Sequence, residues 1–173
     1  NLNKAYDVNL AATSRDKTQE KKIYGINYTS YHFLDNSFDR NILKKIKNYD
    51  YILVSIPPKN GIDIVIKNFQ ETLEILKTNW ITYLSATSVY GDHNGEWVNE
   101  NSKLNPLTEN GKSRLSAEKL WINLAKKKNL PIQIFRLSGI YSHERNIIKK
   151  IQSGSHQIIN QPSHFFSRIH VED

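Results

Sequence analysis

The 173-residue chain contains no cysteine. Disulfides, thiolate metal sites and cysteine nucleophiles are therefore excluded, and the lack fits a reducing cytoplasm. No apolar run approaches the roughly 20 residues that span a bilayer, and no signal-peptide pattern opens the chain, so no membrane partner is expected. Methionine is absent as well. With Asn1-Leu2-Asn3-Lys4 at one end and His170-Val171-Glu172-Asp173, without cap or turn, at the other, the sequence reads as truncated at both ends. Internal repeats and low-complexity linkers are missing too, which predicts a single domain over residues 1–173.

Lysine, by contrast, is abundant, and the net charge is +7. The lysines are spread through Lys21-Lys22, Lys44-Lys45, Lys126-Lys127-Lys128 and Lys149-Lys150 rather than gathered in one tract with interleaved aromatics. That spread argues against a nucleic-acid partner, while a basic balance suits a phosphate-bearing small molecule. The six histidines (His32, His93, His143, His156, His164, His170) form no i, i+4 pair or carboxylate cluster, so no metal site is expected.

Hydrophobic periodicity orders the chain. Residues 7–13 predict a short strand that ends in Thr13-Ser14-Arg15, and the polar residues 16–22 a short helix. Residues 28–34 predict a second strand ending at Asp35, after which Asn36 or Asp39 caps a helix carrying Ile42, Leu43 and Ile46. Tyr51-Ile52-Leu53-Val54-Ser55-Ile56, stopped by Pro57-Pro58, is a continuous apolar run. Parallel strands covered by helices on both faces look like this. A helix over 63–77 presents Ile62, Val65, Ile66, Phe69, Leu73 and Leu76 at the 3.6-residue period. Trp80-Ile81-Thr82-Tyr83-Leu84 then predicts a strand, which gives way to Ser85-Ala86-Thr87-Ser88-Val89-Tyr90-Gly91-Asp92. After a polar loop over 91–108, residues 113–128 predict a helix with Leu115, Leu120, Trp121, Leu124 and Ala125 inward. A strand over 131–137, a helix over 144–151 and an extended segment over 165–171 complete the pattern. This β/α alternation predicts an α/β protein with a parallel sheet and right-handed crossovers. In such sheets ligands sit beyond the carboxyl ends of the strands, so the hydroxyl-rich stretch 85–92 is the leading candidate site. Small hydroxyl side chains there can bond a ligand without filling the space it needs.

Five motifs now stand in order. They are SVYGD after an apolar strand, an E-x-S-x-L-x-P loop, a helix containing SRLSAE, then FRLSGIY and RIHVED. Together they resemble the extended short-chain dehydrogenase/reductase superfamily, in its NAD(P)-dependent epimerase/dehydratase-like branch of nucleoside-diphosphate-sugar epimerases. The resemblance covers nearly the whole chain. It implies a Rossmann-like doubly wound parallel sheet with a small substrate-binding region starting at about 144–173. It also implies a nicotinamide cofactor and a small-molecule substrate. Family members open with a strand and a GxxGxxG turn whose backbone N–H groups hold a pyrophosphate. This sequence has neither, so the first strand and Gly-rich phosphate loop are expected to be missing from this chain, leaving a slot between the Val8 and Tyr51 strands.

Carried over residue by residue, the resemblance puts Thr13, Ser14 and Arg15 at the end of the second strand. There, Arg with hydroxyls suits the 2′-phosphate of NADP, with NAD the other option; a surface arginine in a loop is the plain alternative. Asp35 falls near the adenine, and Ser55, Ile56 and Pro57 line the cofactor. Ser85 and Ala86 do likewise, and Leu137 and Ser138 lie beside the nicotinamide. The family's catalytic Tyr and Lys fall on Asn110 and Arg114, and its Ser/Thr on Ala86. Asn is no general acid or base near neutral pH, and Arg does not deprotonate. Thr87 and Ser88 could substitute for the hydroxyl, and the family's Asn aligns approximately with Asp63. Arg114 could hold an anionic substrate or the cofactor ribose, or simply pair with Glu118 at i+4. This pattern resembles the atypical branch of the family, which keeps the fold and loses the tetrad. Two readings follow. One is an NADP-linked oxidoreductase or epimerase of a small polar metabolite, such as a nucleotide sugar, using Thr87, Ser88, Asp63 and Arg114. The other is an NADP-binding sensor or regulatory protein without catalysis.

Overall fold

The computed structural model describes residues 8–155 and 165–173. The beginning of the first predicted strand, and His156 and His164, lie outside the described residues. Two sheets carry the architecture. In the first, β1 (Ala11–Ser14) pairs in parallel with β3 (Ile26–Leu34), and β3 pairs antiparallel with β2 (Gln19–Ile23) and β4 (Ser37–Phe38). β2 replaces the helix predicted over 16–22. The cause is the turn that follows it. Tyr24 and Gly25 both have positive φ, 48° and 91°, the two-residue geometry whose twist matches a β-hairpin and which glycine adopts without strain. Thr29 Oγ1 donates across the pair to Glu20 Oε1 at 2.7 Å. The N-cap of α1 (Asn41–Lys45) is Arg40, without a side-chain cap bond, rather than Asn36 or Asp39, but Asp39 just before it supports the entry. Its Oδ1 accepts from the Asn41 N–H at 2.9 Å and its carbonyl from the Ile42 N–H at 3.1 Å.

The second sheet is wholly parallel: β5 (Tyr51–Val54), β6 (Trp80–Ala86) and β7 (Ile132–Leu137), with β6 central. Val54 stands opposite Tyr83, and Ala86 opposite Leu137. The three carboxyl ends therefore lie side by side, as the sequence argument requires. α2 (Ile64–Leu73) crosses from β5 to β6, and α3 (Glu109–Lys128) from β6 to β7. α3 begins a turn earlier than predicted because the side chain of Thr108 accepts from the Gly111 N–H, capping it there. It ends at Asn129 in the left-handed region, with Lys126, Lys127 and Lys128 in its last turn, where cations suit the helix dipole. α4 (Ile147–Gln152) is capped by Asn146 and is shorter than predicted, and β8 (Gly139–Tyr141) pairs in parallel with β9 (Arg168–His170).

The core lies on one face of the second sheet. Val54, Ile81 and Tyr83 point into it and meet Phe69 and Leu73 of α2 and Ala117, Trp121 and Leu124 of α3. The opposite face is open among the described residues, with Tyr51 69%, Leu53 65% and Phe135 44% exposed. The expectation of a strand buried on both faces over 51–56 is thus corrected. Strand side chains alternate, and only the even-numbered set meets helices. Leu120, predicted inward, is likewise turned out of α3, at 44% exposure. Phe33 of β3 stacks on Phe69 of α2 (ring centroids 5.3 Å), and Phe38 lies 5.2 Å from Phe69. This aromatic cluster joins the first sheet to the helical layer of the second. β1 and β5 each pair on one edge alone among the described residues. The parallel strands β5–β6–β7, linked by the helical crossovers α2 and α3, beside the parallel pair β1–β3, which is joined through the β2 hairpin, make this a Rossmann-like α/β fold.

Candidate functional site at the carboxyl ends of the second sheet

β6 leaves the sheet at Ala86 and turns at once into a 3₁₀ turn, Thr87–Val89. Val89 is fully buried, which turns Thr87 half outward and leaves Ser88 exposed. The first turn of α3 packs directly against this corner. A Cβ added at Gly111 would lie 2.7 Å from the Ser88 carbonyl oxygen and 3.0 Å from Pro106 Cβ. Glycine there is what permits the approach. Asn110 and Arg114, one turn apart on α3, therefore share the neighbourhood of Thr87 and Ser88. Arg114 Nη1 donates to the Leu84 carbonyl at 2.8 Å, just past the last β5–β6 pairing at Val54 and Tyr83.

The i+4 pairing of Arg114 with Glu118 does not form. Glu118 is 1% exposed and is taken by Arg136 of β7, whose Nη2 and Nε reach it at 2.8 and 3.1 Å. Arg136 Nη1 also donates to the Tyr90 hydroxyl at 3.1 Å, and its guanidinium lies 4.9 Å from that ring's centre. Glu118 holds the Arg136 pKa above its ordinary value, chiefly through these hydrogen bonds. The sequence reading missed this cluster, although a signal was present. Ile132, Ile134 and Arg136 alternate on the inward side of β7, and an inward charge on a strand requires a buried partner.

Asp63 is also committed. It is 3% exposed and stands at the N-cap of α2. Its Oδ1 accepts from the Val65 and Ile66 N–H groups, each at 2.9 Å, and its Oδ2 from the Trp121 indole N–H at 2.9 Å. The Tyr83 ring stacks on Trp121. Burial, helped by the charge of Asp63, pushes the Tyr83 phenol up to about 12. That hydroxyl lies beside Arg114 but outside hydrogen-bonding geometry, and it and Ser85 Oγ are buried without a hydrogen-bond partner.

The remaining residues named from the sequence divide by exposure. Ser55 and Pro57 are exposed beyond β5, and Ile56 packs partly on the core. Ala86, Leu137 and Ser138 are half-buried at the same end of the sheet, whereas Ser85 is covered. Thr13 and Arg15 are exposed at the end of β1, and Ser14 Oγ accepts from Ser30 Oγ at 3.0 Å. Asp35 is exposed in the tight turn between β3 and β4. A different depression, lined by Asn9, Leu10, Tyr28, Lys45, Asn48 and Tyr49 among others, opens near the starts of β1 and β3. It lies at the amino ends of those strands and gathers none of the candidate residues. Among the described residues no helix is long and apolar enough to cross a membrane.

The parallel sheet with its helical crossovers has the architecture of a Rossmann-like α/β domain, and solved structures share it. A conserved protein of unknown function from Silicibacter pomeroyi DSS is 39% identical over 70% of this chain and 43% of its own, with a TM-score of 0.63. UDP-glucuronic acid 4-epimerase from Bacillus cereus, solved with NAD, is 22% identical over 73% of this chain and 46% of its own, at 0.61. MoeE5, solved with UDP-glucose and NAD, is 18% identical over 95% of this chain and 60% of its own, at 0.66. The chain thus spans about half the length of these structures. No protein-family model matches it, and no curated protein does so significantly.

Proposed function

We propose that the chain is the dinucleotide-binding part of an NAD(P)-dependent epimerase-like or oxidoreductase-like protein acting on a small polar metabolite, a nucleotide sugar among the candidates. One observation carries this reading: the parallel ends of β5, β6 and β7 stand side by side, with Asn110 and Arg114 of α3 beside the Thr87–Val89 turn. A nicotinamide dinucleotide would be held at the strand ends by Ser55 and Pro57, which are exposed, and by Ala86, Leu137 and Ser138, which are half-buried. A bound nicotinamide would supply hydride chemistry. Arg15, exposed and without an ion pair among the described residues, suits the 2′-phosphate of NADP. Residues 144–173 would begin the substrate-binding region of a cytoplasmic protein.

The chain's own residues set limits on proton transfer. By the resemblance, Asn110 stands where the family carries its catalytic phenol. Asp63, with three donors on its carboxylate, serves as scaffold. Thr87 and Ser88 remain as hydroxyls able to orient a substrate oxygen. This shortage of acids and bases favours a second reading, a dinucleotide-binding regulator without turnover. Calorimetry with NADP⁺ and NAD⁺ on the full-length protein tests the shared part, and failure of both to bind refutes it; residues 1–173 alone, which hold no GxxGxxG turn, are expected to bind NADP weakly or not at all. Assaying NADPH consumption across a panel of carbonyl substrates separates the two readings.

A further inference from the structure

Arg114 presents an uncompensated charge. Its side chain is half-buried, and it makes no ion pair among the described residues. The carboxylate placed to neutralise it, Glu118 one turn on, is held by Arg136 through two guanidinium nitrogens. Arg114 Nη1 is spent on the neutral carbonyl of Leu84, which fixes the guanidinium without balancing it. The Tyr83 phenol, which lies beside Arg114, stays neutral because burial pushes its pKa up to about 12. A partly desolvated cation without a counter-ion is costly, and the planar fork of arginine matches a carboxylate or a phosphate with two parallel hydrogen bonds. The guanidinium is thus anchored at one nitrogen and has donors left over, beside a turn built from Thr87 and Ser88.

Resting on the reading above, we infer that the unanchored edge of Arg114 is an oxyanion receptor. It would bind a carboxylate of the substrate or a phosphate of the dinucleotide at the carboxyl end of β6. The arginine is therefore a specificity determinant in place of a proton-transfer partner. Glu118 and Arg136 make this possible by pairing with each other, since a free Glu118 would occupy the fork.

The test measures binding of UDP-glucuronate, UDP-glucose, NADP⁺ and NAD⁺ to the wild-type protein, Arg114→Lys and Arg114→Gln, with thermal melting as the check on folding. Lysine keeps the charge and can still reach the Leu84 carbonyl but loses the fork. A substrate carboxylate as the anion predicts that Arg114→Gln weakens UDP-glucuronate by about tenfold or more while UDP-glucose stays within about twofold, Arg114→Lys falling between. A cofactor phosphate predicts that NADP⁺ and NAD⁺ weaken together by that factor instead. Unchanged affinity for all four ligands in both variants overturns the inference. If the wild-type protein binds none of them, the dinucleotide reading has failed on its own. The Arg114 side-chain N–H resonance, titrated with inorganic phosphate and with acetate, then decides: a saturable shift keeps the receptor, and no shift removes it.

Discussion

Replacing Asp63 by alanine removes three hydrogen bonds at once, and the structure lets the loss be sized. Two of them satisfy the orphan N–H groups of Val65 and Ile66 at the start of α2. An N-cap deletion costs about 1 kcal/mol, in a range of roughly 0.5–2. The third is the indole of Trp121, which is fully buried. An abandoned buried donor costs about 1–3 kcal/mol. The sum is about 2–4 kcal/mol, a large share of the roughly 5–15 kcal/mol that holds a domain together. At this chain length it corresponds to a fall in melting temperature of roughly 5–15 °C. Asp63→Asn should recover little, because whichever way the amide turns its NH₂ faces either the backbone donors or the indole. The assay is urea and thermal unfolding followed by tryptophan fluorescence, with NADP⁺ binding measured on the folded variant well below its transition. A near-normal melting temperature would refute the reasoning, since the carboxylate would then not be holding the start of α2 and Trp121 in place.

Further outcomes are expected elsewhere. Glu118→Ala strands the Arg136 guanidinium and should destabilise by about 3–5 kcal/mol, read from denaturant midpoints; a loss below about 1 kcal/mol would contradict the pairing at 2.8 Å. Gly111→Ala gains about 0.5–1 kcal/mol of helix propensity but drives a methyl group to 2.7 Å from the Ser88 carbonyl. Overpacking of about 1–3 kcal/mol should win, and a stabilised variant would show that α3 does not press on the turn. Glu74 is held down to about 2, chiefly by its hydrogen bond with Lys128 and next by that with Gln70. Its folded-state pKa lies below the ordinary 4.5, so its contribution is fully present above that pH and is lost as pH falls toward 2. Carbon-13 titration of Glu74 should show a midpoint near 2 that rises toward 4.5 in Lys128→Gln, and an unmoved midpoint would remove Lys128 as the cause.

Strands that announce themselves by largely apolar or β-branched runs, at 51–56 and 80–84, appear there as Tyr51–Val54 and Trp80–Ala86, because nothing local competes with burial. The hairpin did not announce itself. Gln19–Ile23 is polar throughout, and its strand character comes from pairing with β3 across the Tyr24-Gly25 turn rather than from its own periodicity. Neighbouring sequence could not show which face of β5 the helices cover, because both of its faces are apolar and only the placement of α2 and α3 decides. At the site, the resemblance carried by SVYGD and SRLSAE points to Arg114, which donates to the Leu84 carbonyl near the end of β6. Its partner was not legible, because the competition for Glu118 is settled by Arg136 on a strand 18 residues further on. The resemblance alone makes Asp63 a candidate for chemistry, and its bonds with the Val65 and Ile66 N–H groups and Trp121 instead commit it to capping α2.

The link between the two sheets has a mechanical implication. Phe33, Phe38 and Phe69 meet ring to ring, and ring contact, unlike a ladder of backbone bonds, has no fixed register. How closely β3 and β4 approach α2 is therefore set by the volume that fills that aromatic joint. Trimming Phe69 to leucine should let the two halves settle closer together without breaking a single strand pairing.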